Sequence, residues 1–298
     1  MTTPQTGIFA LGTHAHSYLE LDLDQDADPR AALSIAAGLN EPRTTMGGVN
    51  LVVGFRPELW ASVLPDHSPA GLTGFNEPVT APDFRMPATQ HDMFLWTAGG
   101  SRDVVFDVVT GMIELFCGVA TVADEVSGWI YQGDRDLTGF IDGTENPHLS
   151  EAPRWILVPD GNPGAGGSVL LVQKWLHRAA AWGALPVREQ ERAIGRTKPD
   201  SVELADRPDT SHAARTDQDD FGKIFRRNTA FGSARRHGTF FVGFCNRREP
   251  LADMLDSMAG LGGVRDALTL YSAPLTGAYY FVPSLDDLAL LAPHEDRH

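Results

Sequence analysis

One aspartate in this chain lies between two glycines, in a segment that fits neither a helix nor a strand pattern. Residues 139–147 read Gly-Phe-Ile-Asp-Gly-Thr-Glu-Asn-Pro, and Asp142 is their first carboxylate. Glycine permits backbone angles that other residues avoid and lets the main chain approach a ligand, while Asn-Pro is typical of a stiff turn. The segment fits a surface turn whose Asp binds its own backbone. It also fits a carboxylate that is held in place to move a proton.

Two further segments contain residue types that could act together with such a carboxylate. His212 lies in a long polar stretch, residues 198–220, and loops of that length are usually functional or disordered. Arg226 and Arg227 follow in a short segment that is predicted to be extended. Since adjacent side chains of a strand point to opposite faces, only one of the two can share a pocket with Asp142. Taken alone, His212 fits an exposed loop histidine and the arginines fit a basic strand edge.

Residues 139–147 resemble the signature loop of the dye-decolourising peroxidases, haem enzymes whose peroxide pocket is built around the Asp of that loop. Residues 209–215, Asp-Thr-Ser-His-Ala-Ala-Arg, are similar to the segment that holds the family's haem-ligating His. Residues 223–228, Lys-Ile-Phe-Arg-Arg-Asn, are similar to its distal Arg region, and residues 276–284 also fit. The resemblance covers most of the chain and implies the bacterial intracellular, B-type branch.

The resemblance implies a function and a cofactor. Haem b would react with hydrogen peroxide to give a ferryl compound I, which takes single electrons from phenolic or dye-type aromatic substrates. The cofactor does the redox chemistry and the protein tunes it. Two alternatives are a haem-binding or haem-handling protein with only incidental peroxidase activity, and an α+β module that binds another small ligand.

On one side of the haem, the resemblance implies that His212 is the iron ligand. A haem-ligating imidazole normally donates its other N–H to a carboxylate or carbonyl, which fixes the ring and makes the ligand more electron-donating. We expect Asp266 to accept this hydrogen bond. Three acidic residues close to His212 in the sequence are alternatives: Asp217, Asp219 and Asp220.

On the other side, peroxide cleavage requires a base that moves a proton and a cation that stabilises the developing charge. The resemblance implies Asp142 as the base and Arg226 as the cation, with Arg227 as the alternative. Asn228, on the same face as Arg226, would position water or peroxide. An ordinary Asp has a pKa of about 3.9 and a His about 6.5, so we expect dye oxidation to be best below neutral pH. The other residues expected to contact haem are Gly143, Thr144, Glu145 and His177.

Hydrophobic periodicity predicts the elements that must position these residues. In the first half, strands are predicted at residues 15–23, 49–55, 92–97 and 119–126, with helices at 30–37 and 102–116. In the second half, strands are predicted at 168–175, 222–225, 239–246 and 277–282, with helices at 186–194 and 248–258. The helix at 102–116 is predicted to bury one face, composed of Val104, Val108, Met112 and Leu115.

Each half has the order β-α-β-β-α-β, which predicts an α+β fold of two tandem ferredoxin-like units. Helices would pack on antiparallel sheets, as in a dimeric α+β barrel. Proline and glycine are frequent at residues 147–167, where they interrupt any regular element. We therefore predict an N-terminal domain at 1–147, which ends in the Asp142 loop, and a C-terminal haem-binding domain at 148–298.

Composition limits the class of protein and its partners. Of the 298 residues, 42% are hydrophobic and 21% charged, as in ordinary globular proteins, and no apolar run approaches the roughly 20 residues of a membrane-spanning helix. The net charge of −15 disfavours nucleic acid, whose phosphates require concentrated Lys and Arg. Hydrogen peroxide and small aromatic reductants are the expected partners, and a homo-oligomer is compatible with the sequence. An anionic substrate would need a basic patch, for instance at Arg226, Arg227, Arg235 and Arg236.

The cysteines and the termini bear on the compartment. Cys117 and Cys245 lie in apolar segments and fit small core residues rather than a disulfide or metal pair. With two isolated thiols and no basic, apolar leader at the N-terminus, we expect a cytoplasmic protein. Some members of the family enter encapsulin compartments by means of a long C-terminal tail. Residues 293–298 follow soon after the last predicted strand, so we do not expect such loading.

Overall fold

The computed structural model describes residues 2–39 and 48–292, which form twelve strands and ten α-helices. Residues 293–298, on which the expectation about encapsulin loading rests, lie outside the described residues. The strands are β1 (Ala15–Leu23), β2 (Asn50–Phe55), β3 (Val79–Ala81), β4 (Phe84–Met86), β5 (Met93–Gly99), β6 (Ala120–Trp129), β7 (Ser168–His177), β8 (Phe225–Arg226), β9 (Thr229–Gly232), β10 (His237–Cys245), β11 (Ser272–Pro274) and β12 (Ala278–Val282). The helices are α1 (Pro29–Leu39), α2 (Pro57–Val63), α3 (Arg102–Leu115), α4 (Ala152–Ile156), α5 (Ala179–Gly183), α6 (Val187–Ile194), α7 (His212–Arg215), α8 (Gln218–Phe221), α9 (Glu249–Ala259) and α10 (Leu285–Ala289).

Ten of the strands form one antiparallel sheet that closes on itself. β7 pairs with β12 and with β10, so the ring runs β7-β12-β2-β5-β1-β6-β9-β10 and returns to β7. β8 continues the line of β9 along β10, and β11 continues the line of β12 along β7. Within each half the four neighbouring strands have the 4-1-3-2 order of a ferredoxin-like unit. The predicted fold class is confirmed.

Two seams join the halves of the barrel. β12 pairs with β2 at Phe281 and Phe55, and β6 pairs with β9 over two residues. The connection between the halves contains α4, whose Ala152 and Ile156 pack against the residues inside the barrel. Both halves therefore contribute to one closed sheet. The division into domains near residue 147 stays a prediction.

Both faces of the barrel wall are buried, which explains the long apolar runs in its strands. In β1, Tyr18 faces the interior of the barrel, whereas Leu19 packs outward among residues of α1 and α3. In β7, Leu171 packs outward with Leu251 and Met254 of α9. Burial of each large apolar side chain contributes about 1.5–3 kcal/mol. The layer between β7 and α9 matters most here, because the candidate site lies in it.

The predicted inward face of α3 is correct at Met112, whereas Val104 and Val108 are only partly buried and the residues after them, Val105 and Val109, are buried. The buried residues of this helix are Val105, Val109 and Met112, and Phe116 at its C-terminal cap is 1% exposed. These positions repeat every three to four residues, as one helical face requires. Leu115 is 51% exposed, so the prediction that it packs inward is wrong.

The two cysteines differ in their surroundings. Cys245, at the end of β10, is buried, as predicted for a core residue. Cys117 is exposed, because it follows the C-terminus of α3 and points away from the sheet side of that helix, so its prediction as a core residue is wrong. Both thiols are free.

The polar stretch at residues 198–220 contains ordered structure, with α7 at His212–Arg215 and the start of α8. The short strand predicted at 222–225 lies slightly later, as β8. None of the helices in residues 2–39 and 48–292 combines the length and the apolar character that crossing a membrane requires.

Candidate active site

The loop around Asp142 is closed by its own hydrogen bonds. The Asp142 N–H donates to the Asp134 carbonyl at 2.8 Å, and the Gly143 N–H donates to Asp142 Oδ1 at 2.7 Å. Gly139 and Gly143 have φ angles of 91° and 72°, in the left-handed region that only glycine adopts readily. The Asp142 side chain is 22% exposed. The backbone of the loop thus determines where this carboxylate lies.

Arg226 approaches Asp142 from β8. Its Nη2 lies 3.9 Å from Asp142 Oδ1, and its side chain is 15% exposed. The Nε atom is buried and finds no hydrogen-bond partner in the part of the chain that the structure describes. Arg227 points into the opposite side of the sheet, where its guanidinium lies 4.5 Å from the Trp96 ring and donates to the Gly7 carbonyl at 2.7 Å. Strand alternation therefore separates the two arginines as predicted, and Arg226 is the one that faces Asp142.

Asn146 connects the loop to the strand that holds Arg226. Its Oδ1 accepts the Arg226 N–H at 2.8 Å, and its Nδ2 donates to the Arg226 carbonyl at 2.8 Å. Asn146 in turn is tied to the loop through its own N–H, which donates to the Gly143 carbonyl at 3.0 Å. The side-chain amide thus pairs with the Arg226 backbone as a neighbouring strand would. It links the position of Asp142 to the position of Arg226.

His212 lies at the start of α7, opposite these residues. Ser211 caps the helix by accepting the Ala214 N–H at 3.3 Å. The His212 Nδ1 lies 2.7 Å from Oδ2 of Asp266, whose side chain is 0% exposed. A carboxylate oxygen accepts hydrogen bonds, so this contact fits an imidazole that donates its Nδ1–H to Asp266 and keeps the lone pair of Nε2 free. The second oxygen of Asp266 accepts the Leu268 N–H at 2.8 Å, which fixes the carboxylate.

Of the three acidic residues near His212 in the sequence, two have other partners, and Asp220 is exposed and outside the cavity wall. Asp217 caps α8 and pairs with Arg207 at 3.1 Å, and Asp219 pairs with Lys223 at 2.6 Å. Among the candidates for the imidazole N–H, the geometry thus favours Asp266.

A cavity of about 320 Å³ joins the two sides. Asp142, Arg226 and His212 all contribute to its wall. The wall also contains Thr144, Glu145, Asn228 and His177. Gly143 is not part of the wall and contributes only through its hydrogen bond to Asp142. Much of the remaining wall is apolar: Leu171, Ile224, Phe241, Leu251, Met254 and Met258. The cavity therefore combines an imidazole, a carboxylate and a guanidinium with a broad apolar lining.

Two models of protein families match the chain. The model described as "Dyp-type peroxidase, N-terminal" matches residues 5–130, and "Dyp-type peroxidase, C-terminal" matches residues 133–287. The chain belongs to the Dyp-type peroxidase family. It is therefore a peroxidase, and the resemblance seen in the sequence is confirmed.

Characterised Dyp-type peroxidases resemble the chain over most of its length. The dye-decolorizing peroxidase of Rhodococcus erythropolis is 34% identical over 292 residues, which cover 93% of this chain and 85% of that protein. The Mycobacterium tuberculosis protein of the same name is 34% identical over 89% of this chain and 83% of its own length. Among solved structures, DypB from Rhodococcus jostii RHA1 superimposes with a TM-score of 0.87 at 34% identity and covers 96% of this chain and 97% of its own. Variants of that DypB have been solved in complex with heme.

Asp136 is a further carboxylate in the wall of this Dyp-type peroxidase cavity. Burial raises the pKa of its carboxyl group to about 6, the hydrogen bonds from Thr138 oppose the rise, and the charge of Asp142 adds to it. His177 shows the reverse effect, because burial lowers its pKa to about 4. His177 is therefore neutral near pH 7. Its Nε2 lies 3.0 Å from the Thr239 hydroxyl, within hydrogen-bonding distance.

Three residues of the site were missed by sequence reasoning: Asp136, Asn146 and Arg196. Arg196 lies in the cavity wall, 15% exposed, and forms ion pairs with Glu145 and Glu203. Glu145, expected to contact haem, is thus held by this pair. Asn146 and Asp136 lie in or beside the 139–147 motif, so their place in the sequence was a usable signal. Nothing local marks Arg196, which follows the glycine that ends α6.

Proposed function

We propose that this Dyp-type peroxidase binds haem b in the 320 Å³ cavity and uses hydrogen peroxide to oxidise phenolic or dye-type aromatic reductants in one-electron steps. One observation carries the proposal. A histidine whose Nδ1 is held by a buried carboxylate at 2.7 Å shares a cavity with an Asp and an Arg that lie 3.9 Å from each other.

The residues present fit this cofactor. An iron porphyrin requires a basic nitrogen directed at the metal, apolar contacts along the ring and polar partners for whatever binds the other face. His212 Nε2 would be the iron ligand, and the apolar side chains of β7, β10 and α9 would contact the ring. Arg226 supports the fit in a further way, because its buried Nε has no hydrogen-bond partner among residues 2–39 and 48–292 and so can bind an oxygen of a ligand.

When bound, haem supplies the redox chemistry by taking up the two oxidising equivalents of peroxide and releasing them one electron at a time. The overall balance is one H₂O₂ and two phenols, ArOH, converted into two waters and two phenoxyl radicals, ArO•. The protein must move a proton between the two peroxide oxygens. The Asp142 carboxylate would accept the proton from one oxygen and return it to the departing one.

Arg226 would stabilise the negative charge that develops on the departing oxygen, since an arginine guanidinium is permanently charged and this side chain is only 15% exposed to water. Asn228 would hold water or peroxide from the same wall. Asn146 would keep Asp142 and Arg226 in register, and the Arg196 pair would hold Glu145.

On the other side, Asp266 would keep the His212 proton on Nδ1 and raise the electron-donating power of the imidazole. The same carboxylate fixes the ring orientation through its second hydrogen bond to the Leu268 N–H.

The free cysteines bear on the compartment in which the protein works. The two free cysteines support a reducing compartment such as the cytoplasm. A homo-oligomer, and the absence of encapsulin loading, stay predictions.

A stopped-flow experiment tests the proposal. Haem-loaded protein is mixed with hydrogen peroxide, and the change of the Soret band is followed. Asp142→Asn should slow this change by about 10²–10⁴-fold, the usual contribution of a general base. Asp134→Asn is the matched control, because it removes the same charge from an exposed position of the same loop. Equal rates for parent and Asp142→Asn would contradict the role of Asp142 as the base and mean that the peroxide pocket is assigned wrongly.

A further inference from the structure

A second cavity, of about 340 Å³, adjoins the haem cavity. We call it the side cavity and define it by six residues of its wall: Thr138, His177, Trp182, Gln190, Lys198 and Tyr271. Thr138 and His177 belong to the walls of both cavities. A molecule in the side cavity would therefore be separated from the haem cavity by one layer of side chains.

Aromatic rings form one side of the side cavity. Trp182 of α5 and Tyr271 lie with ring centroids 5.4 Å apart at an angle of 64°, the edge-to-face geometry that aromatic pairs prefer. The Trp182 Nε1–H donates to the Thr138 carbonyl at 3.0 Å, which fixes the indole against the shared wall. This surface suits a planar aromatic ring.

Lys198 supplies the side cavity with a positive charge. Glu191 contacts this residue, but its carboxylate accepts the Lys198 backbone N–H at 2.9 Å and forms no salt bridge with Nζ. The chain has three lysines, all of them in the described residues. Lys174 pairs with Asp124 and Lys223 pairs with Asp219, but no salt bridge of the described residues includes Lys198. Its Nζ donates to Gln190 Oε1 at 2.6 Å, a neutral partner.

The stem of Lys198 is also held in place. A Cβ on Gly139 would approach Lys198 Cε to 2.8 Å, so the glycine leaves room for the lysine chain. The ammonium lies 5.6 Å from the Phe140 ring centroid. No Asp or Glu occurs among the described residues of the side cavity wall, and His177 is neutral near pH 7. In a chain of net charge −15, this cavity is a local site for an anion.

We propose that the side cavity binds the reducing substrate and that it favours aromatic reductants with an acidic group, a carboxylate or sulfonate, placed on Lys198. This inference rests on the proposed function, which supplies the oxidant. The ring would pack on Trp182 and Tyr271. One electron would then cross the shared wall to the oxidised cofactor that the haem cavity would hold. The reductant, a phenol, would then release its proton to water, in keeping with the balance of one peroxide to two phenols.

Calorimetry and steady-state kinetics test the inference. The probes are 4-hydroxybenzenesulfonate and phenol, which share a ring and differ in charge. In Lys198→Met the dissociation constant and the KM of the sulfonate should rise about 5-fold, the upper end of the range for a partly exposed charge contact, while those of phenol change less than about 2-fold. Lys198→Arg should retain most of the preference, and Tyr271→Leu should weaken both probes.

Arg192→Gln is the matched control, since it removes a positive charge from the surface of α6 outside the side cavity. The inference is overturned if Lys198→Met keeps the parental ratio of sulfonate affinity to phenol affinity. It is also overturned if Arg192→Gln lowers this ratio as much as Lys198→Met does. Calorimetry is done with haem-loaded protein in the absence of peroxide. It therefore tests whether the side cavity binds the probe independently of any peroxidase activity. The peroxide reaction without reductant, followed by stopped flow, reports separately on the proposed function.

Discussion

Replacing Asp266 by Asn tests how a buried carboxylate controls the residue that we propose as the iron ligand. Asp266 is fully buried and accepts two hydrogen bonds, one from His212 Nδ1 at 2.7 Å and one from the Leu268 N–H at 2.8 Å. Asparagine has the same shape but only one accepting oxygen. If that oxygen keeps the Leu268 N–H, the amide NH₂ faces the imidazole N–H, and one buried donor loses its acceptor.

The size of the effect follows from that loss. An unsatisfied buried polar group costs about 1–3 kcal/mol, and every 1.4 kcal/mol is a factor of ten in an equilibrium constant. We therefore expect haem to bind about 5–100-fold more weakly to Asp266→Asn, in line with the usual effect of removing a partner of a metal ligand. We also expect a more positive reduction potential, because the imidazole becomes a poorer electron donor.

The assay is a titration of the haem-free protein with haem, followed at the Soret band, together with a potentiometric titration of the loaded protein. Asp287→Asn is a matched control, because Asp287 pairs with His67 Nδ1 at the same 2.7 Å but does not line the haem cavity. The reasoning is refuted if Asp266→Asn keeps the parental haem affinity and potential, or if Asp287→Asn changes them equally.

Three further results are expected. Arg226→Leu should keep the Soret band but react with peroxide about 10²–10³-fold more slowly in stopped flow, as when one oxyanion donor is removed, and a parental rate would argue against its role. Asn146→Ala removes both bonds to the Arg226 backbone, so denaturant unfolding should show a loss of about 1–3 kcal/mol together with slower peroxide reaction, and a loss of stability alone would limit Asn146 to folding. Burial raises the pKa of Glu20 to about 6 from 4.5, against the hydrogen bond from Tyr280, so stability from this group is full below pH 4.5 and lost as pH rises through 6. The free energy of unfolding of Glu20→Gln, measured against that of the parent by denaturant unfolding, should therefore be about 2 kcal/mol higher at neutral pH than in acid. The exposed control Glu125→Gln should show no such change with pH.

The framework of the fold could be predicted from the sequence because its strands and longer helices are regular. Apolar residues repeat along each strand of the barrel, and the β-α-β-β-α-β order appears twice. Short elements such as β3, β4, α7 and α8 span too few residues to show a period. The inward face of α3 was misplaced because Phe116, beyond the helix end, completes it in place of Leu115.

The candidate site was predictable to the extent that its residues lie in contiguous motifs. Strand alternation separated Arg226 from Arg227, and the glycines around Asp142 indicated a fixed loop. Asp266 was the expected partner of His212, but three acidic residues closer in sequence stayed open as alternatives, because Asp266 is 54 residues away and only the fold brings it close. The contact of Asn146 with Arg226 spans 80 residues and was missed for the same reason.

The most direct test of the account is the absorption spectrum of haem-loaded protein, parent against His212→Ala, with and without peroxide. The account predicts a Soret band in the parent that changes rapidly with peroxide. In His212→Ala the band should be lost or strongly shifted, and added imidazole should restore part of it by replacing the missing side chain. A parental band and a parental peroxide reaction in His212→Ala would contradict the assignment of His212 as the iron ligand.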